Sequence, residues 1–189
     1  MPTHWPTVKN QWQEHLNKPK NLALKAAKLG ITGALETAGE AEDHYHNHEA
    51  VTFQSLHEAL TELITRCNEA IAKHGKLFTE ACGFLDGVRG AATHRRTEIE
   101  AQIKAIRNGI AKRCDDLSHD LPGLQPHAQD ERYGHFYHDL QDGLGRGFPS
   151  LRDAIQTILH TSNRPSQGNP SIAEYQKLLK KLSSAAHTT

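Results

Sequence analysis

Imidazole and carboxylate groups crowd one short segment of this sequence, Asp43-His44-Tyr45-His46-Asn47-His48-Glu49. That density of nitrogen and oxygen donors suits a transition ion such as zinc, nickel or copper. His44 and His48 share a face if the segment is helical, because residues four apart stack along a helix. A second group, His135-Phe136-Tyr137-His138-Asp139, sets His135 and His138 one turn apart. The candidate ligands are therefore His44, His46, His48, His135 and His138, with zinc the cofactor they fit. Nothing in the spacing brings the two groups together, and no residue is identifiable that would orient each imidazole from behind. The favoured reading is plainer. The first group is a hydrated connector between two helices, and the second is a helix with Tyr133, Phe136, Tyr137 and Leu140 inward and its histidines in water. The chain carries 14 histidines, so its charge climbs as pH falls from about 7 to about 5.5, and a proton-responsive role accompanies the metal-binding one.

Other chemistries find less support. His48-Glu49 and His57-Glu58 each begin the His-Glu-x-x-His zinc-protease pattern, but Thr52 and Thr61 stand where the second ligand must return, which excludes that class. Gly143-x-Gly145-x-Gly147 follows no predicted strand and lacks the Lys-Ser/Thr ending of a phosphate loop, so it reads as a flexible joint. No Gly-x-Ser-x-Gly elbow occurs. Cys67, Cys82 and Cys114 are odd in number, widely spaced and embedded in helical patterns, which predicts small, reduced core side chains.

The totals narrow the partners. Lys plus Arg and Asp plus Glu are equal at 22 each, so no global field draws in nucleic acid or an anionic membrane. The local run Arg89, Arg95, Arg96, Lys104, Arg107, Lys112 and Arg113 is interrupted by Glu98 and Glu100 and has no stacking aromatics. It reads as a solvated face rather than a nucleic-acid strip. No apolar run approaches the roughly 20 residues needed to span a bilayer, and the opening residues lack the pattern of a secretion signal. A cytoplasmic location is the expectation.

The elements that must position these groups are helices. Residues 5–16 predict a short helix stopped at Lys18-Pro19, and Asn21 is placed as the cap of a second helix running to about Glu40. The strongest pattern is the alternating three-and-four spacing of Phe53, Leu56, Leu60, Leu63, Cys67, Ala70, His74, Leu77, Ala81, Phe84, Val88 and Ala91. After a polar stretch, Thr93 to Glu98, it resumes as Ile99, Ile103, Ile106, Ile110, Cys114 and Leu117, and stops at Leu121-Pro122-Gly123. Gly83, Gly87 and Gly90 each cost a helix about 1 kcal/mol against alanine, which favours a bend or hairpin tip near residues 86–94 over one uninterrupted rod that needs a dimer partner. Beyond it come a loop at 122–129, helices at 130–144 and 149–160, and a linker at 162–169. A final helix carries Leu178, Leu179 and Leu182 on one side and Lys177, Lys180 and Lys181 on the other, and a disordered tail follows.

The fold class expected is all-α, an elongated helical bundle with a long antiparallel hairpin or coiled coil. Three segments compose it: N-terminal helices and His-rich connector at 1–49, the coiled-coil-like hairpin at 50–121, and short helices with the C-terminal amphipathic helix at 122–189, all expected within one structural domain. Every strong signal is a packing signal, so the functional expectation is a non-catalytic interaction protein (adaptor, scaffold or regulatory factor) that binds a protein partner or itself through helix surfaces. Leu178, Leu179, Leu182, Lys180 and Lys181 are the candidate contact residues. A metal- or pH-responsive bundle and a peripheral membrane binder using the lysine-rich last helix are the alternatives.

Overall fold

The computed structural model describes residues 3–47, 53–123, 134–136, 138 and 172–188. The protein is all-α, and no strand occurs among the described residues. Its helices are α1 (Trp5–Asn17), α2 (Lys25–His46), α3 (Phe53–His74), α4 (Thr79–Asp120) and α5 (Ile172–Thr188), with 3₁₀ turns at Pro19–Leu24 and Leu121–Gly123. The chain divides into two compact units, Met1–Ala101 and Gln102–Thr189, and the division falls within α4.

In the first unit the helices run up, down, up, down, as the cross-helix contacts require. Lys9 pairs with Glu36, and Gln13 Nε2 donates to Thr32 Oγ1 at 3.4 Å, so α1 and α2 are antiparallel. Tyr45 stands edge-on to Phe53, while Gly30 faces Arg66, which sets α3 antiparallel to α2. His57 meets Glu100, Arg96 Nη1 donates to Thr61 Oγ1, and Arg89 Nη1 donates to Asn68 Oδ1. Those contacts run α4 back along α3. Phe84 stacks against Trp12 and His15 of α1, closing the ring of four helices. The buried residues are the ones this arrangement points inward: Trp5, Trp12 and Leu16; Ile31, Leu35 and Ala38; Leu56, Leu60, Leu63 and Cys67; Leu85, Val88, Ala92 and Ile99.

The hairpin expected from the sequence is present, but its tip lies at Gly75–Phe78 instead of residues 86–94. Gly75 N donates to Ile71 O at 2.8 Å, and His74 O then accepts from both Leu77 N and Phe78 N. A Cβ at residue 75 would stand 2.6 Å from Ile71 O, so only glycine lets the chain leave α3 this tightly. Gly83, Gly87 and Gly90 do not break α4, because all three lie on its exposed side with no atom within 4 Å of where a Cβ would be. Each loses helix propensity without a packing return. Replacing all three by alanine is therefore expected to raise the unfolding free energy by about 2–3 kcal/mol, measured by urea denaturation. A loss of stability would show that the small side chains are needed by the fold.

Asn21 does not cap α2. Its side chain is buried and donates through Nδ2 to His15 O at 2.8 Å, satisfying a carbonyl in the last turn of α1. The N-cap of α2 is Leu24, which makes no side-chain cap. Lys18 and Lys20 both reach Glu80 in the first turn of α4, and their hydrogen bonds hold its carboxyl down at about 2, below the usual carboxylate range.

In the second unit, α4 ends at the expected Leu121-Pro122-Gly123 stop, and Gln176 Nε2 of α5 donates to Ser118 O at 3.0 Å. The tail expected to be disordered is helical to Thr188, because Ser183 and Ala186 continue the buried side of α5. The expected loop at 122–129, the helices at 130–144 and 149–160, and the linker at 162–169 lie largely outside the described residues; 134–136 and 138 are helical.

Candidate functional site

The His-rich segment is not a connector for most of its length. Asp43, His44 and His46 belong to the last turn of α2, which runs six residues past the expected end at Glu40. His44 and His46 are exposed, and His46 Nε2 lies 3.7 Å from Glu42. His48 lies outside the described residues. In the second unit, His135 and His138 are exposed on the short helical piece, with Phe136 buried, the orientation expected of an aromatic inner face. Among the described residues no three His, Cys, Asp or Glu side chains gather closely enough to hold a metal ion.

What α2 does bring together with α4 is a buried charged centre that the sequence reading missed. Glu42 and Arg95 are 5% and 9% exposed. Arg95 Nε donates to Glu42 Oε1 at 2.7 Å and Nη2 to Glu42 Oε2 at 3.1 Å, a two-pronged pairing, while Nη1 donates to Glu98 at 3.0 Å. The guanidinium carbon also sits 5.4 Å from the centre of the Tyr45 ring. Hydrogen bonding to Glu42 keeps the Arg95 charge firmly in place against the burial that opposes it, and Arg95 in turn pulls the Glu98 carboxyl below its usual range. A signal existed: Arg95 continues the three-and-four spacing of Val88, Ala92 and Ile99, and Glu42 follows Leu35 and Ala38 on α2.

Three carboxylates here are each shared between an arginine and a histidine. Glu42 lies between Arg95 and His46, Glu98 between Arg95 and His94, and Glu100 between Arg96 and His57. Through Arg95 to Glu42 and His57 to Glu100 these pairings hold α2 and α3 in register with α4. The cysteines are withdrawn. All three are buried and unbonded to one another, and burial pushes the thiols of Cys67 and Cys114 up to about 12 and raises that of Cys82. A protonated, enclosed thiol is a poor nucleophile.

No family model, curated protein or solved structure matches the chain.

On α5, Leu178, Leu179 and Leu182 are buried, while Lys177, Lys180 and Lys181 are exposed. The amphipathic division is the expected one, yet the leucines are already covered by the chain itself. They are out of reach of a partner or a lipid surface while α5 remains in place. Among the described residues no helix is long and apolar enough to cross a membrane.

The stripe on α4 behaves differently. Within the second unit it is buried at Cys114 and Leu117, but Ile103, Ile106 and Ile110 are only half-buried. Their spacing of three and four residues sets them in one row.

Proposed function

We propose that this is a non-catalytic interaction protein, an adaptor or regulatory factor that binds another helical protein along α4. The observation supporting the reading is the row Ile103, Ile106 and Ile110, half-buried in the second unit where Cys114 and Leu117 of the same stripe are closed off. Isoleucines at this spacing form the seam into which an apolar helix face packs, with knobs entering holes. Lys104, Arg107, Lys112 and Arg113 accompany the row in sequence, which favours a partner helix with acidic flanks.

The test is a photo-crosslinking residue placed at Ile106 in the cells of origin, with Asp116, exposed on the same helix, as the control position. A discrete crosslinked product at 106 that is absent at 116, and that Ile103→Glu reduces about tenfold or more, is the expected result. Identical products from both positions, or none from either, would defeat the reading.

A further inference from the structure

We infer that the hairpin end of the first unit docks on an anionic lipid surface. Two large apolar side chains are exposed among the described residues, Leu77 at 81% and Leu22 at 52%. Both belong to one end of the bundle. Leu77 lies in the turn between α3 and α4, and Leu22 lies in the 3₁₀ segment whose neighbours Lys18 and Lys20 grip Glu80 at the start of α4. Leu77 occupies a turn, where the chain reverses, rather than the floor of a groove.

Charge completes the surface. The segments 18–22 and 73–80 hold Lys18, Lys20, Lys73 and Lys76 against one acidic residue, Glu80. Lys73 and Lys76 are exposed and pair with no carboxylate among the described residues. A molecule whose total charge balances at 22 against 22 thus concentrates a surplus of three positive charges where its exposed leucines are. A protruding leucine flanked by lysines matches a planar anionic interface, into which the apolar tip inserts while the ammonium groups remain among the phosphates. A protein partner would instead be expected to receive such an anchor in a pocket and to read a broader surface.

The experiment is co-sedimentation of the full chain with vesicles of phosphatidylcholine containing about one-third phosphatidylglycerol, compared with phosphatidylcholine alone, at low and high salt. Binding to the anionic vesicles is expected, falling as salt screens the lysines. Lys73→Gln with Lys76→Gln should weaken it about thirtyfold, the equivalent of losing two near-surface lysine contacts, and Leu77→Asp should weaken it at least as much. These side chains are exposed, so helicity by circular dichroism should be unchanged. Lys180→Gln with Lys181→Gln, on α5, should leave binding intact. Absence of binding, binding that follows the α5 lysines, or binding to soluble polyglutamate that matches vesicle binding and ignores Leu77 would each overturn the proposal, the last in favour of an acidic protein partner.

Discussion

Arg95→Met is expected to lower the unfolding free energy by about 3–5 kcal/mol, a large share of the total stability of a small domain. The cost arises from what remains behind. Glu42 is 5% exposed, and without the two hydrogen bonds from Arg95 it is left with His46 Nε2 at 3.7 Å. A carboxylate enclosed without its partner must either stay charged in an apolar setting or take up a proton, and both raise the energy of the folded state. Glu98 contributes less to the loss because it is about half exposed and water can replace the guanidinium. The double substitution Glu42→Leu/Arg95→Met removes the enclosed charge together with its partner and should recover most of the loss, to within about 1 kcal/mol of the parent. Urea denaturation of the four proteins in the cycle measures this. If Arg95→Met alone costs under about 1 kcal/mol, the centre is solvated and its assignment as a register-fixing clamp fails.

The same centre shows where the sequence was legible and where it was not. Helical periodicity located α1, the hairpin helices and the α5 stripe, because burial of one face imposes a spacing that survives in the residue types. Arg95 and Glu42 escaped for the converse reason. Hydropathy assigns a paired charge to the surface, so the run Thr93 to Glu98 looked like an interruption of the seam, although Arg95 falls in step with Ala92 and Ile99. The hairpin tip was misplaced by a different accident. His74 O accepts hydrogen bonds from Leu77 N and Phe78 N, so the turn nearly imitates another turn of helix and carries the three-and-four spacing from α3 into α4 without slippage. No proline marks it, and Gly83, Gly87 and Gly90 lie on an open helix face. The one that matters, Gly75, is distinguished only by its approach to Ile71 O. The candidate contact surface divides similarly. Spacing identified Ile103, Ile106 and Ile110 as part of a stripe, but which part of a stripe the chain leaves only half-buried depends on residues distant in sequence. The leucines of α5, chosen from the sequence as contact residues, are the ones the chain encloses.

Trp12→Ala is expected to cost about 3–5 kcal/mol, the range found when a large enclosed aromatic side chain is truncated. Trp12 is fully buried, and its ring lies nearly parallel to that of Phe84, 6.4 Å away, so it joins α1 to α4 at the contact that closes the bundle. α1 has only 13 residues, too few to remain helical alone in water, and its attachment depends on the side chains it buries. Trp12 Nε1 is enclosed without an acceptor among the described residues, an unmet donor that works against the gain from burial. Trp12→Phe should therefore cost markedly less, about 1–2 kcal/mol, since phenylalanine keeps a ring against Phe84 and removes the stranded N–H while giving up part of the volume. Denaturant melts of the two variants separate volume from polarity. Equal losses would mean that the indole N–H is met by a hydrogen bond, and a loss below about 1 kcal/mol for alanine would mean that α1 is not held to α4 through this ring.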